Sequence, residues 1–292
     1  MTSTSPAFAP RLALPQVTLC AASSVNVAAT VRALEACVAQ VEFARCKLFT
    51  DQPVDLNGSG ITVVPIAEIT SAQAYSHFVL TQMVDHVETS HCLVVQWDGH
   101  VLDASRWRAE FLDHDYIGAV WPQFDDAHVV GNGGFSLRSR KLMQACREPG
   151  FRGLHPEDIM IGRENRAFLE SRGFRFAPRA LAQMFSVERS GDPTTSFGYH
   201  GAWHMPRVLG AESFWQIYRG MNDRSAIWHD FAKILIKVGQ GSHGWARMLR
   251  LIADRLIADR FFDGAGYIIP RRGDRRNGRG NAKPRVGKDQ LL

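Results

Sequence analysis

The sequence predicts an α/β protein with a mainly parallel sheet covered by helices on both faces, and three observations carry that prediction. Short apolar runs alternate with longer amphipathic stretches along the first hundred positions, the pattern of repeated strand–helix units. A length of 292 residues with 45% hydrophobic content and 10% aromatics is enough to bury a sheet from both sides. The run from Cys92 to Gln96 stops at Trp97-Asp98-Gly99, as a buried strand does when it delivers a carboxylate to the carboxyl edge of a sheet, where ligands bind. An ordinary Asp-Gly turn gives the same local pattern.

In chain order, residues 1–15 read as a flexible leader containing three prolines. Val17 to Cys20 is a short strand, and Ser23, Ser24 and Asn26 offer caps for a helix with apolar positions Val27, Val31, Leu34, Val38 and Val41. No GxGxxG stands at this junction, so a dinucleotide site of that type has no support. Lys47 to Thr50 and Ile61 to Ile66 are the next strands, and a helix from about Ser71 to His86 leads back to the strand that ends at Asp98. Ser105 is placed to cap a short helix with Trp107 and Phe111. Glycines around Asn132 allow tight turns or a close approach of backbone to ligand, before an alternating segment and a helix at 140–147.

Pro156, Glu157 and Asp158 have the composition of a helix start, with the helix running to Gly173. Short strands are expected at 174–178 and 185–187, followed by the glycine-flanked segment 197–201. From about Glu212 the chain reads as helical. Met248, Leu249, Ile252 and Leu256 form a stripe expected to pack on the body, with a place on a membrane surface as the alternative, and Arg250–Asp254 and Arg255–Asp259 are spaced as four-apart pairs. The organisation is therefore a leader (1–15), an α/β body (16–210), a helical extension (211–268) and a basic tail expected to be disordered (269–292).

The net charge of +5 is local. Residues 271–292 carry eight basic side chains against Asp274 and Asp289, which leaves the rest of the chain near neutral. A large positive field therefore does not select the ligand of the body; only the tail invites phosphate or an anionic membrane surface, and a nucleic-acid partner would rest on the tail alone. Five cysteines without a CxxC pair, no secretory h-region and no long apolar span fit a cytoplasmic protein, peripheral at the inner face of a membrane if it binds one.

Four segments could carry chemistry: Gln96–Gly99, Gly131–Phe135, Pro156–Asp158 and Phe197–Gly201. Asp98 is a hard oxygen ligand suited to Mn²⁺ or Mg²⁺, and His200 could add a nitrogen. One carboxylate of the Glu157–Asp158 pair caps the helix and the other is free to accept a proton, a role that suits Asp158 with Glu157 as its rival. A zinc hydrolase built from His114, His155, His200 and His204 with Asp98 or Asp115 is an alternative, although no closely spaced ligand pair supports it.

Residues 94–103, 115–122, 130–142, 156–161 and 197–201, as an ordered set, resemble the DUF5672 group, which is similar to glycosyltransferases of the GT-A fold. That resemblance covers about residues 15–205. It implies a single Rossmann-type mixed sheet flanked by helices, a nucleotide-sugar donor, and a glycan or lipid-linked acceptor. It places Gln96, Trp97, Asp98 and Gly99 and the segment Asn132, Gly133, Gly134 and Phe135 at the donor, Asp98 and His200 at a divalent metal, and Asp158 or Glu157 as the base of an inverting transfer. Gln96 stands where the first carboxylate of the Asp-x-Asp pattern would be, which puts the metal in question. A non-catalytic carbohydrate or nucleotide binding module of the same fold is the other reading of that departure.

Overall fold

The computed structural model describes residues 11–54, 56 and 58–263; most of the expected leader and all of the basic tail lie outside them. The elements follow in order as strand β1 (Leu12–Ala22), helix α1 (Val27–Val38), β2 (Val41–Thr50), β3 (Thr62–Pro65), α2 (Ala72–Thr81), β4 (His91–Val95), β5 (Gly99–Val101), β6 (Tyr116–Val120) and β7 (Val130–Ser139). Then come α3 (Arg140–Ala145), α4 (Glu157–Ile159), α5 (Arg166–Glu170), α6 (Arg179–Phe185), β8 (Ser186–Val187), β9 (Gly198–His200), α7 (Met205–Val208), α8 (Gly210–Gly220), α9 (Phe231–Val238) and α10 (Gly244–Asp263).

Six strands form the main sheet in the order β3-β2-β1-β4-β7-β6. The first four are mutually parallel and β7 runs antiparallel to both β4 and β6. Side-chain alternation along the strands builds the two apolar layers. Val17, Leu19 and Ala21 of β1 and Leu93 and Val95 of β4 join α1 and α6 in one core, while Cys20, Ala22, Cys92 and Val94 join α2 in the other. All five cysteines are free and buried, in keeping with a thiol used as a small hydrophobe.

The architecture is mixed α/β, but the expected single sheet is instead two. β5, β9 and β8 form a separate three-stranded sheet, because Gly99 turns the chain back against β9, pairing Gly99 with His200. A Cβ at Gly99 would stand 2.6 Å from the Tyr199 carbonyl oxygen, so this close pairing requires glycine. Tyr199 and Val187 of the small sheet share a core with Phe214, Ile217, Ile234 and Leu251 of the helical extension.

Several elements differ from expectation. The segment 130–139 is one continuous strand through its glycines and makes no tight turns, because Gly131, Gly133 and Gly134 each accommodate a neighbouring side chain where a Cβ would otherwise be. Asp103, not Ser105, caps the short helical turn after it, accepting from the Ser105 amide at 2.9 Å. Asn26 occupies the start of α1 with φ of 56° but does not cap it. Its side-chain amide instead donates to the Asp223 carbonyl at 2.9 Å and accepts from the Asp223 amide at 3.0 Å, tying the β1–α1 loop to the extension. The helix expected from 156 to 173 is broken into α4, a π-helical turn at Met160–Glu164, and α5, the kind of wide turn that often accompanies a functional site.

Helix α10 does pack on the body, through Met248 of the expected stripe together with Leu251, while the rest of that stripe faces outward. Leu251 is buried, and Asp254 accepts from the Tyr218 hydroxyl and the Arg224 guanidinium, both at 2.8 Å. The expected stripe residues Leu249, Ile252 and Leu256 are exposed. Arg250 pairs with Asp254 at 2.9 Å as its spacing implied; the side chain of Asp259 lies outside the described residues. No helix among the described residues is long and apolar enough to cross a membrane.

Candidate functional site

In an open α/β sheet ligands bind beyond the carboxyl ends of the parallel strands, where successive connections leave in opposite directions. Here that point lies between β1, which continues to β2 on one side, and β4 on the other. A cavity of about 600 Å³ opens there, within the range of small-molecule sites. The β1–α1 loop (Ser23 to Asn26), Tyr75, Gln96, Trp97, Trp121, Asn132, Gly134, Glu157, Asp158, Glu188 and His200 line it.

Two polar clusters stand on opposite faces of β7, and the paired glycines explain how. Because strand side chains alternate, the missing Cβ of Gly133 lies over one face, 2.6 Å from Glu157 Oε1 and 2.9 Å from the Asp158 Cβ. The missing Cβ of Gly134 lies over the other, 2.2 Å from His200 Nε2. No larger residue fits at either position without moving one of these groups.

The first cluster is acidic. Asp158 accepts from the Gly133 amide at 3.1 Å and from its neighbour Ile159's amide at 2.8 Å. Glu157 is buried and pairs with the fully buried Arg138 at 3.1 Å; Arg138 also donates to Ser136 Oγ at 2.9 Å. The helix start was expected to favour Asp158 as an anion. Burial, followed by the nearby Glu157 charge, instead pushes its pKa from 3.8 up to about 7, against the two amides and Arg138, which act in the opposite direction.

The Arg138–Glu157 pair carries its own test. Glu157→Gln leaves a buried guanidinium without its counter-charge, and a loss of about 3–5 kcal/mol is expected, seen as a lower urea midpoint at unchanged slope. The joint replacement Arg138→Met with Glu157→Leu is expected to recover most of that loss. A single variant as stable as the parent would show that the pair contributes no such energy.

The second cluster is centred on His200. Its Nε2 lies 3.3 Å from Asp98 Oδ1 and its Nδ1 3.5 Å from Glu188 Oε1. Nε2 also meets Gln96 Oε1 at 3.2 Å, and Gln96 Nε2 donates to the Tyr75 hydroxyl at 3.0 Å. Burial lowers the imidazole pKa, but the Asp98 and Glu188 carboxylates outweigh it and hold the ring well above its ordinary value. Arg189 lines the same cavity and pairs with Asp230 at 2.6 Å.

Asp98 and His200, expected as metal ligands, therefore form an ion pair with each other. Both ring nitrogens face a carboxylate, and a protonated imidazole has no lone pair to offer a cation. Among the described residues no group of three or more His, Cys, Asp or Glu side chains is arranged to hold a metal ion. A cation bound by Asp98 and His200 would have to displace the imidazole proton and separate this pair. The zinc set is not assembled either: His155 Nδ1 bonds with Ser76 Oγ at 2.9 Å, His204 Nε2 with the Glu188 carbonyl at 2.8 Å, and His114 lines a second cavity with Asp115.

The other expected donor-site residues divide. Gln96, Trp97, Asn132 and Gly134 line the cavity. Gly99 sits in the small sheet, and Asp98 stands behind His200 with little exposure. Phe135 lies opposite Val95 and is buried against Phe185 and Phe197, in the same core as Leu137, because the pairing of β7 with β6 shifts register between Leu137 and Asn132 and breaks the simple alternation with Gly133.

Glu188 is the main addition. Nothing local to Ser186-Val187-Glu188 marks it, but β8 pairs with β9 as Ser186 with Gly198 and Val187 with Tyr199. The next position in that register sets Glu188 beside His200. Tyr75 and Arg138 were also missed; a charged residue within the apolar alternation of β7 is the signal that marks Arg138.

Residues 59–200 match the model of a family described as "Protein of unknown function (DUF5672)". The matched segment holds both clusters, from Tyr75 to His200, and leaves β1, α1, β2 and helices α7 to α10 outside it. A search of curated proteins finds no match.

Proposed function

We propose that this chain, whose residues 59–200 match the DUF5672 family model, is a glycosyltransferase. It moves a sugar from a nucleotide-diphosphate donor to a hydroxyl of a glycan or lipid-linked acceptor, with inversion. The observation that carries this reading is Asp158: a carboxylate facing a cavity at the strand-order switch point, with a pKa pushed up to about 7. A general base works best with a pKa near the working pH.

In the proposed reaction the acceptor oxygen attacks the anomeric carbon as Asp158 takes its proton. The bond from that carbon to the donor phosphate oxygen breaks, and the nucleoside diphosphate leaves with the bonding pair. The Gly133 and Ile159 amides hold Asp158 in place. Arg189, whose guanidinium keeps donors beyond its bond to Asp230, is the cationic group on the cavity wall that meets the negative charge developing on the departing diphosphate, and His200 between its two carboxylates shapes the wall beside it. Trp97, Trp121 and Tyr75 offer ring faces for the sugar or the base.

Incubating the purified chain with a panel of nucleotide sugars, in chelator and with water or simple glycosides as acceptor, is the test. Release of nucleoside diphosphate by the parent chain and its loss in Asp158→Asn are expected. Donor binding without release by either protein would favour the non-catalytic binding module, a reading that Gln96 in place of a carboxylate supports. Release that requires added Mn²⁺ would overturn the assignment of the leaving-group charge to Arg189.

A further inference from the structure

Helix α10 has two apolar faces, and the second has no partner among the described residues. Trp245, Leu249, Ile252 and Leu256 are 79%, 64%, 36% and 57% exposed. Their spacing of four, three and four puts them on one side of the helix. Ile236 of the neighbouring α9 is a further exposed apolar side chain, at 64%, and α9 shares the core of α10 through Ile234, Val238 and Leu251. Monomeric proteins seldom leave so many large apolar groups together in water.

The orientation of the stripe is fixed from the other side. Asp254 is held by Tyr218, Arg224 and Arg250, and the buried Arg247 pairs with Glu212. Turning the stripe inward would strand these groups in the core, so outward presentation is a stable property of the helix.

We propose that the α10 face is a docking surface for an anionic lipid bilayer. Charge selects this occupant. The sequence beyond α10 carries eight basic residues from Arg271 to Lys288 and two aspartates, Asp274 and Asp289, and Lys237, next to the exposed Ile236, is itself exposed. An apolar helix face with a polybasic segment supplies the two signals that stable peripheral attachment needs: side chains for the acyl boundary and cations for the headgroups. A second copy of the chain on the same face would bring two such basic segments together, and an RNA would satisfy the cations but leave Trp245, Leu249 and Leu256 in water.

Co-sedimentation of the full chain with vesicles of phosphatidylcholine alone, and of phosphatidylcholine mixed with phosphatidylglycerol, tests this. Binding to the mixed vesicles only is expected. Two variants separate the two signals: Trp245→Glu with Leu249→Glu and Leu256→Glu, all at exposed positions, and glutamine at all eight basic positions from Arg271 to Lys288. Each is expected to weaken binding at least about a hundredfold, with unchanged circular dichroism. Equal binding to neutral vesicles, or binding untouched by the helix variant, would overturn the proposal. So would a dimer in gel filtration that the helix variant abolishes, or tighter binding to single-stranded RNA than to the mixed vesicles.

Discussion

Asp158→Asn is expected to lower turnover by about a thousandfold while leaving donor affinity within about twofold. Removal of a general base typically costs two to four orders of magnitude, and an effect confined to turnover marks a group that acts in the transition state. In the parent chain, turnover is expected to rise with pH and level off above about 7, as Asp158 loses its proton.

The same residue links pH to stability. A carboxylate whose pKa is raised on folding favours the native state in its protonated form. That contribution is present in full below the unfolded value near 3.8 and is lost as pH rises through about 7. The three-unit shift corresponds to about 4 kcal/mol at most. Asparagine avoids this loss but gives up one of the two amide bonds to Asp158, costing about 1–2 kcal/mol. Asp158→Asn is therefore expected to be about 2 kcal/mol more stable than the parent at pH 8, and no more stable at pH 4. Thermal melts of both proteins across that range check it; a constant difference would mean that Asp158 does not titrate in this window.

Gly134→Ala is expected to weaken donor binding about a hundredfold through His200. The new Cβ would fall 2.2–2.4 Å from three atoms of the imidazole, so the ring must leave its place between Asp98 and Glu188. Two buried carboxylates then face each other without the cation that separated them, and a destabilisation of about 2–4 kcal/mol follows. The coupling is measurable. In a His200→Ala background the added methyl meets no ring, so Gly134→Ala is expected to cost much less there, a non-additivity characteristic of groups in contact. Equal costs in both backgrounds would show that the glycine serves some other purpose.

The α/β layering was legible in the sequence because it rests on local periodicity: alternating apolar strands and amphipathic helices announce themselves residue by residue. The region 130–139 was not, since glycine marks a turn and a close packing contact alike, and only the positions of Trp121, Glu157 and His200 show which applies. Of the site, Gln96, Asp158 and His200 could be picked out as polar residues at strand ends or helix starts. Glu188 could not, because it joins His200 only through the parallel register of two strands ten residues apart in sequence. From sequence only Asp98 could be set beside His200, whereas the register adds a carboxylate on the other side of the ring. For α10, four well-spaced apolar residues outweighed a single Leu251, but buried polar bonds to Asp254 and Arg247 decide which face turns inward.

The most direct measurement is the thermal shift of the purified chain with a panel of nucleotide-diphosphate sugars, each with chelator and with Mn²⁺. A ligand that binds only the folded chain stabilises it by about 2.7 kcal/mol at a hundred times its dissociation constant. At least one nucleotide sugar is expected to raise the midpoint in chelator, with the shift diminished in Gly134→Ala and retained in Asp158→Asn. No stabilisation by any donor, with or without metal, would contradict a nucleotide-sugar site in this cavity.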